Sequence, residues 1–135
     1  MPRIDVPLLY DDPSGSRTIS VSYRVRGSGP VIVALIPGLM VPQSMYEALA
    51  EFLAASGRFT AVSIDNRGIG ESDCPPAALL HRATSTGYTV TALALDAWAV
   101  VDCVRADRCT VPNGAADLQP EIAVVGHSMG GMVAQ

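Results

Sequence analysis

The stretch "EIAVVGHSMGGMVAQ", residues 121–135, decides the fold. Its first part, "EIAVVG", is apolar at both odd and even positions, as in a strand buried on both faces. Gly126-His127-Ser128-Met129-Gly130 then spells G-x-S-x-G, with Gly131 behind it, and the start of a helical segment follows. A sharp strand-to-helix turn of this kind lifts a serine hydroxyl above a sheet edge. Side chains at positions 126 and 130 would crowd such a turn, so glycine is expected there. The helix start contributes unpaired N–H groups and the positive end of a dipole. The Met129 N–H would face charge developing on a substrate oxygen. A competing pattern is G-x-G-x-x-G, which cradles a dinucleotide. It needs glycine where Ser128 stands, an acidic residue about 20 positions later and a place on the first strand of its unit. None of these is met.

Working outward, "VIVALI" (31–36) and "FTAVSI" (59–64) repeat the doubly apolar strand pattern. Residues 43–55 and 89–106 lie between such strands and carry helical spacing. In the first, Met45, Leu49, Phe52 and Leu53 form one stripe, and Gly57 stands where a helix would end. In the second, Val90, Leu93, Ala97, Val101 and Val104 form the stripe, widened by Val100 and Trp98 as a core anchor. Thr89 is the expected N-cap, without the acidic partner of a capping box because Ala92 stands there. Upstream, "RTISVSYRVR" (17–26) alternates apolar and polar residues, as in an antiparallel strand near a sheet edge with one wet face. A weaker strand is expected within residues 4–10.

The expected architecture is therefore α/β: three layers around a mostly parallel sheet, with an antiparallel N-terminal hairpin. The segments are a hairpin over 4–26, a β-α-β core over 31–65, a loop over 66–87, a helix over 89–106, and the strand and serine turn over 121–135. Together they read as one domain.

Composition narrows the function classes. Apolar residues make up 49% and charged residues 16%, and the formal net charge is −4. All nine basic residues are arginines scattered from Arg3 to Arg108, without the basic face that a nucleic-acid partner needs. Apolar runs of six to eight residues fall short of the about 20 that cross a membrane. The N-terminus shows no long apolar leader. Three cysteines, Cys74, Cys103 and Cys109, are too few and too oddly numbered for a disulfide framework. A cytoplasmic protein is expected. No metal-ligand spacing is present, so neither metal nor cofactor is expected, and the oligomeric state is left open.

Two further motifs stand at the ends of the predicted parallel strands, where open α/β sheets place their sites. They are "LIPGLM" (35–40) and "SIDNRGIGESD" (63–73). With the serine turn they resemble the α/β-hydrolase superfamily over roughly residues 17–135, in particular its serine-nucleophile members. The resemblance implies a nucleophile elbow spanning Gly126 to Gly131 with Ser128 as nucleophile. It implies a D-x-R-G-x-G-x-S loop at Asp65, Arg67, Gly68, Gly70 and Ser72, where Asp65 and Arg67 pin the loop. It also implies an oxyanion turn at Pro37-Gly38, with the Leu39 N–H as second donor beside that of Met129. Pro37 stands where the family usually has histidine, which leaves the backbone donor intact. His127 would not be the base.

In that family the triad runs serine, acid, histidine along the chain. Both partners of Ser128 would then lie beyond residue 135, and His81 is a poor substitute. The sequence thus reads as the N-terminal portion of a hydrolase acting on an ester, lactone or related acyl bond of a small molecule, inactive or nearly so alone. The alternative is a non-catalytic ligand- or partner-binding protein built on half of the fold.

Overall fold

The structure, a computed structural model, describes residues 1–9, 14, 16–76, 88–109 and 120–135. Five strands form one sheet: β1 (Arg3–Pro7), β2 (Thr18–Arg26), β3 (Val31–Ile36), β4 (Phe59–Ile64) and β5 (Ile122–Gly126). Among the described residues three helices accompany them: α1 (Glu47–Ala55), α2 (Val90–Cys109) and α3 (Met129–Val133). The spatial order is β1-β2-β4-β3-β5. β3 pairs in parallel with both β4 and β5. β2 is antiparallel to β1 and to β4, so it alone runs against the other four.

Alternation along each strand sends side chains to opposite layers. Ile32 and Ile36 of β3, with Val62 and Ile64 of β4, join Ile19, Val21 and Tyr23 of β2 against α2 and α3. Val33, Leu35 and Ala61 face the other way, against α1. Strands buried on both faces are mainly apolar at both parities, which is why β3 and β4 lack polar alternation. The two polar residues of β4, Thr60 and Ser63, are buried with their hydroxyls donating to the Gly29 carbonyl (2.8 Å) and to Gln43 Oε1 (3.3 Å).

The hairpin strand β2 is antiparallel and lies next to the sheet edge, as expected, but its polar face departs from expectation. β2 is interior, flanked on both sides, and β1 forms the edge. Its polar face is not wet throughout, because the segment after β4 covers it. Ser22 is buried. Its N–H donates to Ser72 Oγ (2.8 Å), its hydroxyl accepts from Gln43 Nε2 (3.2 Å), and its carbonyl accepts from the Asp65 N–H (2.9 Å).

The helices form where expected but turn different faces inward. Residues Gln43–Tyr46 make a single 3-10 turn before α1. Tyr46, Ala50 and Leu53 face the sheet, and the small Ala50 lets the helix approach closely. Met45 and Phe52 are instead 73% and 76% exposed, and Leu49 also faces outward. Gly57 does end the segment, with φ +68 and its N–H on the Ala54 carbonyl. Thr89 caps α2 through a 3.0 Å bond from the Ala92 N–H. Leu93, Ala97, Val100, Val101 and Val104 are buried, but Trp98 is 49% exposed and Val90 also lies outward. The row Leu93-Ala97-Val100-Val104 points at the sheet, and Trp98, one residue beyond Ala97, is rotated about 100° from it.

A buried ion pair joins the layers. The Arg67 guanidinium meets Asp96 of α2 in a two-pronged contact, Nε and Nη each 2.7 Å from a carboxylate oxygen. Both side chains are buried, Arg67 completely. Arg67 also donates to the carbonyls of Leu8 (2.9 Å) and Pro7 (3.2 Å). Removing one partner from such a pair leaves an uncompensated buried charge. Asp96→Asn is therefore expected to cost about 3–5 kcal/mol, measured by urea unfolding, and pairing it with Arg67→Met should recover part of that loss.

At the surface, Glu47 receives hydrogen bonds from Arg24 (2.6 Å) and Arg26 (Nε, 2.8 Å). First the Arg24 contact and then that of Arg26 hold its carboxyl below its ordinary value of 4.5. The Ser20 N–H and then Arg3 do the same for Asp73, ordinarily 3.8. Folded values below unfolded ones mean that this stability is fully present above about pH 4.5. It is lost as the pH falls through the folded values. The urea midpoint is expected to drop on acidification below about pH 4.5, and Glu47→Gln should flatten that drop.

Candidate active site

The site lies where the C-terminal ends of β3 and β5 meet. Ser128 leaves β5 with φ 55 and ψ −120, a backbone conformation costly for any residue with a side chain. Among the described residues the non-glycine positions with positive φ are Ser128 and Met40. Met40 lies on the segment after β3, which carries Pro37, Gly38 and Leu39. Strain is thus concentrated on two segments that face each other.

Their approach is close enough to exclude side chains. A Cβ on Gly126 would collide with the Gly130 carbonyl, and one on Gly130 with the Ile36 carbonyl oxygen and, at 2.7 Å, that of Pro37. A Cβ on Gly38 would sit 3.2 Å from the His127 carbonyl oxygen and 3.3 Å from Ser128 Cβ. Gly131 is looser, since an added Cβ would meet only the Gly126 carbonyl oxygen at 3.7 Å. The His127 N–H donates to the Ile36 carbonyl at 3.1 Å. The N–H groups of Gly130 and Gly131 are taken up by the carbonyls of His127 and Ser128, 2.9 Å each. Ser128 and Gly38 are therefore brought together, with Leu39 next along the chain from Gly38 and Met129 as the first helical residue after the serine.

The Asp65–Ser72 loop lies to one side. The Asp65 carboxylate is buried and accepts from the Gln43 N–H (2.7 Å), Gln43 Nε2 (2.9 Å) and the Glu71 N–H (3.1 Å). Ser72 Oγ donates to the Asp65 carbonyl at 2.7 Å. Gly68 and Gly70 have φ of +79 and +57, and a Cβ on Gly70 would strike the Asp65 carboxyl group. None of these polar groups faces Ser128; each is engaged in holding the loop to β2, to α2 or to the segment before α1.

His127 directs Nδ1 to the Tyr46 hydroxyl, 3.2 Å away. His81 lies outside the described residues. Beside Leu39 a cleft of about 250 Å³ opens between Met40, Ile69, Pro75 and Tyr88. Burial pushes the Tyr88 phenol above its ordinary value. Among the described lining residues the charged side chain is Arg67, whose guanidinium is engaged by Asp96. Cys74 and Cys103 are free thiols. Cys103 Sγ lies 3.7 Å from the Tyr23 hydroxyl, whose pKa is pushed up to about 12, chiefly by burial and then by that contact. The Cys109 side chain lies outside the described part. Among the described residues no three His, Cys, Asp or Glu side chains cluster to hold a metal ion, and no helix is long and apolar enough to cross a membrane.

Sequence reasoning missed Gln43, Tyr46 and Asp96. Each lies far along the chain from its partner, and no local spacing marks it.

Glycine tolerates the Ser128 backbone conformation, whereas alanine does not. Ser128→Gly is expected to be more stable than Ser128→Ala by about 1 kcal/mol, read from their urea midpoints.

Comparison with known proteins follows the same lines. The chain covers 99% of its length on a thermophilic esterase from Thermogutta terrifontis, at 25% identity and a TM-score of 0.67. It covers 96% on an esterase from Exiguobacterium antarcticum, at 25% identity and 0.64. On an epoxide hydrolase from Vigna radiata it covers 98%, at 19% identity and 0.61, a likeness of fold alone. It spans 39%, 37% and 33% of those three structures' own lengths. No curated protein sequence matches it. The sequence pattern of the Alpha/beta hydrolase family matches residues 33–135. With most of β3 and all of β4, β5 and the serine turn inside that match, the chain belongs to the alpha/beta hydrolase family.

Proposed function

We propose that these 135 residues carry the nucleophile and oxyanion half of a serine hydrolase acting on a small-molecule ester, lactone or related acyl bond. One observation carries the reading: Ser128 is held in a strained turn directly against the Pro37-Gly38-Leu39 segment. Strain of this kind persists only where the surroundings over-determine it, and it clusters at functional sites. Likeness to two solved esterases supports the choice of an acyl substrate.

In this mechanism Ser128 Oγ attacks the acyl carbon and its proton passes to a base. The carbonyl π electrons move onto oxygen, and the Leu39 and Met129 N–H groups stabilise that oxyanion. Collapse expels the alcohol, which takes up the proton, and leaves an acyl-Ser128 ester. Water, activated by the same base, then releases the acid. The chain contains two histidines. His127 is engaged at Nδ1 by Tyr46, and His81 is not assigned the role. The base and its acid partner are proposed to come from outside these residues, and the chain alone to be inactive or nearly so. The exposed edge of β5, where Val124 and Val125 face outward, favours the second reading, a non-catalytic binding protein.

Intact-mass detection of acetyl-Ser128 from p-nitrophenyl acetate tests the proposal. Little adduct is expected from the chain alone. Added imidazole, as an external base, should raise the adduct at least tenfold, and Ser128→Ala should abolish it. Absence of adduct at every base concentration would remove Ser128 as nucleophile and favour the binding reading. Robust labelling without added base would overturn the claim of inactivity.

A further inference from the structure

We infer that Tyr46 is a positioning residue for the oxyanion site, acting through His127 to fix the serine turn against the segment that follows β3. Its catalytic purpose rests on the hydrolase reading; the contact itself does not.

The two proposed oxyanion donors sit on separate pieces of chain. Leu39 follows β3, and Met129 follows β5. Donors of this kind work only when their separation is held to within about 0.5 Å, and an error of about 1 Å can cost on the order of 10²-fold in rate. The serine turn has little local support. α3 has five residues, too few to be stable by itself. β5 pairs with β3 and, among the described strands, with no other. Ser128 also stores backbone strain that relaxation of the turn would release.

Three contacts that oppose such relaxation converge on His127. Its N–H is bonded to the Ile36 carbonyl at 3.1 Å. Its carbonyl oxygen and Nδ1 lie 3.2 and 3.4 Å from where a Cβ on Gly38 would stand, so the oxyanion segment packs flush against it. Its ring meets Tyr46 edge-on, with centroids 6.4 Å apart at 62° and the hydroxyl 3.2 Å from Nδ1. Tyr46 is anchored at its other end. It packs on the cluster of Val33, Leu35, Ala50 and Ala61, the layer that holds α1 to the sheet. It therefore ties the residue before the nucleophile to the rigid core, and does so from the chain segment that continues the oxyanion turn. In the neutral ring, a Tyr46 hydroxyl donating to Nδ1 places the proton on Nε2.

Long-range ¹H–¹⁵N NMR of the 135-residue chain at neutral pH tests this. The wild-type His127 ring is expected as a single Nε2–H tautomer. Tyr46→Phe keeps the ring and removes the hydroxyl, so it should give mixed tautomers. It should also displace the Leu39 and Met129 amide signals while those of β1 and β2 stay in place. His127→Asn presents an oxygen near the Nδ1 position and should retain the wild-type Leu39 signal, whereas His127→Ala should lose it. An unmoved Leu39 amide in both Tyr46→Phe and His127→Ala overturns the tie, whatever Ser128 does toward acylating reagents. A moved Leu39 amide with no acetyl-Ser128 at any imidazole concentration keeps the tie and removes the hydrolase reading instead.

Discussion

Everything in the site depends on how closely the backbone after β5 approaches the end of β3. The Ile36 carbonyl accepts the His127 N–H, while Gly130 passes so near to the Ile36 and Pro37 carbonyls that no side chain fits. Parallel pairing of β3 with β5 brings the two strand ends level, with Ile36 opposite Gly126. The chain must then turn from strand to helix within the width of one peptide. It does so by forcing Ser128 to positive φ. The geometry that exposes the serine hydroxyl and the strain it carries are therefore one fact.

The loop after β4 performs a different task. Asp65, Arg67 and Ser72 form a motif that would pass for a reactive cluster if read by residue type alone. The contacts show two buried groups, Asp65 and Arg67, and a half-buried Ser72, each engaged in hydrogen bonds. Asp65 holds the start of the segment that leads to α1, Ser72 closes the loop onto β2, and Arg67 spans from residues 7 and 8 to α2. Burying a full guanidinium and carboxylate together is costly unless every donor is satisfied. The two-pronged geometry and the Leu8 and Pro7 carbonyls engage all three guanidinium nitrogens. The loop thereby fixes the floor of the cleft beside Leu39 without entering the chemistry proposed for Ser128.

Much of this could be read in the residues. β3 and β4 announce themselves because strands buried on both faces must be apolar at both parities; β5 carries the same pattern, yet its Val124 and Val125 are exposed. The serine turn is legible because close backbone approach demands glycine at 126 and 130. Helix faces were less legible. Phe52, Met45 and Trp98 are apolar and helically spaced, yet they face outward, because periodicity specifies a stripe and not which stripe the sheet will meet. The Ser22 side of β2 reads as wet, and Ser22 itself is dry only because a segment more than 40 residues later lies across it.

The sequence by itself determined the element types, their order, the α/β class and the glycine-framed serine. All of these follow from local sterics and from the period of the apolar pattern. Only the tertiary structure decided that Ser22 of β2 is covered by Ser72, that Arg67 pairs with Asp96, and that Tyr46 reaches His127. These outcomes join residues 29 to 81 positions apart. Side chains at such separations meet only after the sheet order has been set, and neither residue of a pair carries a local signal of the other.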